Sequence, residues 1–202
     1  MRRESSTVVA VVGDVREVLL TEVSRSPNVA VVKPADEQED GLETAARALR
    51  AAWGRASPYV LVPADPLAAV AEEWAAMWDL SQQSRRDIGF EVRAAEAIAA
   101  WRAGRFELPD YYLVLARADR EGGVSQGVGL HLGPLRAARP RRVAVARTTD
   151  GPEQAARVLD ALRSLPHGPW WPPVDELIDT ARRFFAGGLA EGEGVLAGAA
   201  PG

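Results

Sequence analysis

The chain has 202 residues, 47% of them apolar and 26% charged, with a formal net charge of −4 at pH 7, which suits one soluble globular domain. It has no cysteine and two histidines, His131 and His167, so disulfide frameworks, thiolate zinc sites, iron–sulfur clusters, thiol nucleophiles and histidine-rich metal centres are excluded. No apolar run approaches the ~18 residues of a membrane span, and the acidic balance disfavours general nucleic-acid binding, where phosphate neutralisation supplies most non-specific affinity.

Residues 7–12, Thr-Val-Val-Ala-Val-Val, are β-branched and stop at Gly13-Asp14. They predict a buried strand rather than a signal peptide, and cytoplasm is the expected location. Residues 15–23 fit a helical face through Val15, Val18, Leu19 and Val23, but their β-branched content also permits a strand. A second strand is expected at 28–32. The acidic stretch 35–43 precedes a helix over 42–55, whose start it favours through the helix dipole. Leu42, Ala45, Ala46, Leu49, Ala52 and Trp53 recur there at the 3–4 spacing of an inward face.

Residues 58–63 predict a third strand. Asp65-Pro66 then opens a helix, with Asp as cap and Pro in the first turn. Leu67, Val70, Ala71, Trp74, Met77 and Trp78 form its apolar stripe. A polar break over 81–89 separates it from a helix over 90–103 that turns Ala94, Ala97, Ile98 and Trp101 inward and stops at Gly104. Residues 111–116 are a fourth strand. The glycine-rich stretch 119–134 reads as a mobile loop, or as a hairpin turn leading into 128–132. A fifth strand follows at 142–146. Asp150-Gly-Pro-Glu153 starts a helix facing inward through Ala155, Val158, Leu159, Leu162 and Leu165. Residues 166–173 are a proline-bracketed linker, and the last helix, 173–186, buries Val174, Leu177, Ile178, Ala181 and Phe185. From 187 onward the Gly, Ala, Glu and Pro content predicts a disordered tail. The alternation implies an α/β fold: a layered sheet of about five strands with flanking helices, in one domain over 1–186. A subdivision near 104–110 stays open.

Catalytic signals are sparse. Gly123-Val-Ser-Gln-Gly127 matches the G-x-S-x-G nucleophile elbow, but a strand does not lead directly into it and Val128-Gly-Leu-His-Leu is a poor helix start. A triad on Ser125 would require His167 as base with Asp150 or Asp160 behind it. Gly127, Gly129 and Gly133 miss the G-x-G-x-x-G spacing, and no G-x-x-x-x-G-K-S/T occurs, which speaks against a P-loop NTPase or an ordinary dinucleotide enzyme. No cofactor or metal is expected. The binding signals are stronger. Arg136, Arg139, Arg141, Arg142 and Arg147 form the densest positive stretch, without interleaved aromatics, so an acidic partner or an anion suits it better than a single nucleic-acid strand. Of the six tryptophans, Trp53, Trp74, Trp78 and Trp101 lie on core faces. Trp170-Trp171 sits outside any helix, either capping the core or anchoring a partner.

Three segments taken together carry a resemblance: Tyr111-Tyr-Leu-Val-Leu-Ala, His131-Leu-Gly-Pro-Leu-Arg-Ala-Ala-Arg-Pro-Arg-Arg-Val, and Leu162-Arg-Ser-Leu-Pro-His-Gly-Pro-Trp-Trp-Pro. Over residues 110–185 the chain resembles actinobacterial accessory proteins of conflict systems, associated with caspase-like proteases and TPR-repeat proteins. The resemblance implies an accessory or adaptor role with a protein partner and names no reaction. The expected function is thus a non-catalytic protein-binding domain, with Trp170, Trp171, Arg136, Arg139, Arg141 and Arg142 as contact residues. The alternative is a hydrolase-like small-molecule enzyme with its site near 119–134. Oligomeric state is open.

Overall fold

Where a strand is covered on both sides, its sequence runs continuously apolar instead of alternating, and the valine-rich segments do this. A computed structural model of the chain describes residues 6–34, 41–77, 83–117, 128–148 and 153–191. Its strands are β1 (Thr7–Gly13), β2 (Val29–Val31), β3 (Tyr59–Val62), β4 (Tyr111–Arg117) and β5 (Val143–Thr148). They form one five-stranded sheet in the order β2-β3-β1-β4-β5. Every pairing is parallel, with Ala10 level with Val62 on one side and Tyr112 on the other.

The helices are α1 (Glu17–Val23), α2 (Gly41–Trp53), α3 (Ala68–Ala76), α4 (Gln83–Arg102), a π-helical turn (His131–Leu135) running into α5 (Arg136–Ala138), α6 (Glu153–Arg163) and α7 (Val174–Glu191). On one face Val9, Val11, Leu61, Leu113 and Leu115 pack with Leu19 and Val23 of α1 and Val158 and Leu162 of α6. On the other, Ala10, Tyr112 and Val114 meet side chains of α3, α4, the π turn and α7. Val60 and Val62 sit beneath Ala48, Leu49 and Ala52 of α2. The molecule is therefore a single α/β domain of three layers, as the sequence implies. No helix among the described residues is long and apolar enough to cross a membrane.

Four local outcomes depend on packing. Residues 17–23, ambiguous in sequence, are helical, because Leu19, Leu20 and Val23 then share one buried side. Residues 128–132 are not a returning strand but lead into the π turn. Pro134 lies inside that turn and supplies no amide for an i→i−4 bond, so the wider turn costs the backbone less there. Helix α4 begins at Gln83, inside the expected polar break, and no proline interrupts residues 81–89. Helix α7 continues to Glu191, past the expected start of the tail at 187. Gly13 ends β1 at φ +98°, and a Cβ there would collide with the Leu115 carbonyl oxygen. Only glycine fits that turn.

Candidate functional site

Asp65 follows β3 and begins the descent into α3. The helix itself starts at Ala68 with Leu67 as its N-cap and no side-chain cap, so Asp65 is not the cap that the Asp-Pro pair announces. Asp65 Oδ1 accepts the Leu67 amide at 2.9 Å in a turn ahead of α3. The same oxygen accepts the Tyr112 hydroxyl at 2.8 Å, and Oδ2 lies 2.9 Å from His131 Nε2. This pattern assigns the imidazole proton to Nε2, aimed at the carboxylate. Asp65 thus gathers three donors from the β3–α3 turn, β4 and the π turn. Sequence reasoning places Asp65 only as a cap and His131 only in a glycine-rich stretch. Nothing in their spacing announces the meeting, because it requires the sheet order.

The cluster is sealed. Tyr112 is 0% exposed, His131 1% and Asp65 7%. Burial, and after it the Asp65 carboxylate, push the Tyr112 phenol well above its ordinary value. The His131 ring tilts over Tyr112 at 4.8 Å and Trp171 meets Tyr112 edge-on at 5.6 Å. Gly129 brings the approach to the π turn against Trp74, whose ring would stand 2.9 Å from any Cβ there. A buried carboxylate with three donors braces three elements.

The sequence-predicted contact residues separate into two groups. Trp171 is buried at 5% exposure and its Nε1 donates to the Pro109 carbonyl at 2.8 Å, while Trp170 is 38% exposed. The arginines grip the linker that carries both. Arg142 donates to the carbonyls of Gly168 (2.7 Å), Pro169 (3.0 Å) and Asp110 (3.1 Å). Its guanidinium lies 4.8 Å from the Tyr111 ring centroid and 5.0 Å from that of Trp170. Arg139 Nε donates to the Trp170 carbonyl at 2.6 Å and Arg141 to the His167 carbonyl at 3.1 Å. Arg136 is exposed at the start of α5. Much of the positive stretch therefore serves as a clamp on carbonyl oxygens that no helix or sheet satisfies.

The G-x-S-x-G stretch with Ser125, and residues 119–127 of the alternative site, lie outside the described residues, as do Trp78 and Asp150. His167 is exposed in the linker. In the β1–α1 connection two backbone amides are already occupied. The Asp14 amide is spent on the Leu115 carbonyl (3.2 Å) and the Val15 amide on Gly13 (2.8 Å), and the Asp14 carboxylate pairs with Arg16. Among the described residues no cluster of His, Cys, Asp or Glu suits a metal ion.

The described surface is concave along α4. That helix buries Phe90, Ala94, Ala97 and Ala100. A second apolar row, Ile88, Val92, Ala95 and Ala99, points outward, and Ile88 and Val92 are 68% and 49% exposed. Its 4-3-4 spacing is that of a helix-packing seam. The row walls a shallow hollow of about 440 Å³ at Ile88, Glu91, Val92 and Ala95. It continues into an open groove of about 760 Å³ against α7, reaching Trp101, Pro173, Glu176 and Asp179. Ion pairs fix the two helices antiparallel. Arg182 embraces both Glu91 oxygens at 2.6 and 2.9 Å and holds Asp179 at 2.6 Å, and Arg102 meets Asp175 at 2.8 Å. The Arg102 hydrogen bond holds the Asp175 carboxyl below its usual value, and the Glu91 bond raises that of the Arg182 guanidinium. The residues expected inward, Ala94, Ala97, Ile98 and Trp101, do face the core side. The outer row was legible as a second apolar spacing on the same helix, which a search for one buried face passes over.

No family model and no curated protein matches the chain. Among solved structures, the NadR protein in complex with NR is similar over 85% of this chain, at 16% identity and a TM-score of 0.48. The chain spans about half of that protein, 52% of its length.

Proposed function

We propose that this domain is a non-catalytic protein-binding accessory domain, and that a partner helix docks along the outer row of α4 beside α7. The observation that carries this reading is the exposure of Ile88 and Val92 in one seam with Ala95 and Ala99. Apolar residues scattered singly on a surface need no explanation. A continuous row at helix-packing spacing, set in a groove, is the pattern of helix-in-groove recognition. The groove carries Glu91, Asp175, Glu176 and Asp179 against Arg102 and Arg182, so the fitting helix has an apolar stripe with basic flanks.

The resemblance over residues 110–185 suggests an adaptor in a conflict system, with a caspase-like or TPR-repeat protein as partner. A TPR array presents amphipathic helix pairs, which suits an α4 seam. The test is gel filtration and calorimetry of the purified chain with the proteins encoded beside it, in parallel with Ile88→Asp and Val92→Asp. The expected result is a complex that each substitution weakens at least about tenfold. Failure of every encoded neighbour to bind would remove the proposal.

A catalytic reading retains one favourable observation, the His131–Asp65 pair at 2.9 Å. Thermal-shift screening against nucleotides and metabolites tests it, since a specific ligand raises apparent stability by mass action. A hit abolished by His131→Gln would favour an enzyme.

A further inference from the structure

The outer row of α4 is graded in size. Ile88 and Val92 stand toward its amino-terminal end, Ala95 and Ala99 toward its carboxy-terminal end, and all four are exposed. A row graded in this way is complementary to its own reverse. With Val92 level with Ala95 of an antiparallel second copy, Ile88 falls level with Ala99. Each layer of the joint then holds one branched side chain and one methyl group, and the small residue leaves the hole that the large one fills. A parallel pairing sets Ile88 on Ile88 and Ala99 on Ala99, which wedges the helices apart at one end and leaves a gap at the other.

Charge agrees with the antiparallel register. Arg93 and Glu96 form an ion pair at 2.8 Å on one flank of the row, each about half exposed. In the antiparallel joint, Arg93 of each copy lies two residues from the level of Glu96 of the other, about 3 Å along the axis, so opposite charges interleave. A parallel joint would set Glu96 level with Glu96 and Arg93 with Arg93. On the other flank Glu91 is held by Arg182 of its own chain at 2.6 Å. Where the row runs out, Arg102 comes level with Arg85 of the second copy, and Asp175 at 2.8 Å offsets the Arg102 charge. We infer that two copies of this chain pair through α4, antiparallel about a two-fold axis between Val92 and Ala95, and that this pairing covers the seam until a partner helix displaces it. The inference rests on the seam of the proposed function and adds what occupies it when no partner is present. Four seam residues a side are few against the roughly 20–30 of a standard interface, so a reversible dimer with a dissociation constant on the order of 10–100 µM is expected.

The chain has no cysteine, so introduced thiols report the register without interference. Ile88→Cys and Ala99→Cys are mixed in equal amounts and oxidised. The expected product is the disulfide that joins one variant to the other. Each variant alone is expected to stay largely uncross-linked, because like positions lie about 16 Å apart along the axis, beyond a disulfide's reach. Sedimentation of the unaltered chain is expected to show monomer giving way to dimer between about 10 µM and about 1 mM. Ala99→Ile sets a branched side chain against Ile88 and is expected to weaken association about tenfold. Ile88→Ala combined with Ala99→Ile exchanges knob and hole and is expected to restore it to within about threefold. The inference fails if the unaltered chain stays monomeric through that range, or if Ala99→Ile strengthens association, as unspecific apolar contact would. It fails too if each cysteine variant cross-links to itself as readily as to the other. Dimers that form while no encoded partner binds would remove the proposed function and keep this pairing, and a partner bound by a chain that stays monomeric would do the reverse.

Discussion

Asp65 shows how much a single carboxylate can organise. Its Oδ1 accepts from Leu67 and Tyr112 while Oδ2 faces His131, so Asp65→Ala would leave three buried donors without an acceptor. Each such orphan costs roughly 1–3 kcal/mol, and the substitution is expected to destabilise by at least about 3 kcal/mol in urea unfolding. Tyr112→Phe removes one donor and leaves the others paired, so about 1 kcal/mol is expected, and the two losses combine non-additively. The phenol also dictates an alkaline limb. With its folded value raised by burial and by Asp65, Tyr112 contributes stability that is complete below the unfolded value near pH 10 and is lost as pH rises beyond it. Stability measured against pH is expected to fall less steeply in Tyr112→Phe above that point. An identical alkaline limb in both proteins would contradict the burial of this hydroxyl. None of this cluster was legible as a cluster: Asp65-Pro66 declares a cap, and the partners come from positions 47 and 66 residues further along the chain.

At the scale of elements, the linker over 166–173 is held by arginines that the sequence offers as contact residues. Proline bracketing and adjacent arginines were visible. That the arginines point at the linker's own carbonyls was not, because the contact joins segments 26 to 31 residues apart. Arg142 combines three carbonyl bonds with two aromatic faces, a combination that a planar guanidinium provides and an ammonium does not. Arg142→Lys is therefore expected to lose most of what Arg142→Ala loses, about 2 kcal/mol. Full rescue by Lys would show that charge alone matters there. The tryptophan pair separates in the same assay. Trp171→Ala opens a cavity beside Tyr112 and is expected to cost about 3–5 kcal/mol, whereas Trp170→Ala stays within about 1 kcal/mol. Helix α4 teaches the complementary lesson. Its buried face is readable from Ala94, Ala97 and Trp101, while Ile88, Val92, Ala95 and Ala99 fall at a second apolar spacing that one inward face does not require.

For the whole molecule, the layered α/β class followed from strands and helices alternating along the chain, and the five strands fall at the five expected segments. Strand order did not follow, since no local signal says that β1 lies between β3 and β4. Charge follows the architecture, with carboxylates along the α4–α7 groove and Arg139, Arg141 and Arg142 on the carbonyls of the linker. The polar cluster of Asp65, Tyr112 and His131 is buried in the interior.

The most direct measurement is the affinity of one encoded partner for two variants, an outer one, Ile88→Asp with Val92→Asp, and an inner one, His131→Gln, both assayed below their unfolding temperatures. Docking on α4 predicts that the outer variant loses about a hundredfold in affinity, roughly 2.7 kcal/mol, while the inner variant melts earlier and binds as the unaltered chain does. Unchanged binding by the outer variant, with a biochemical activity that disappears only in the inner one, would contradict it.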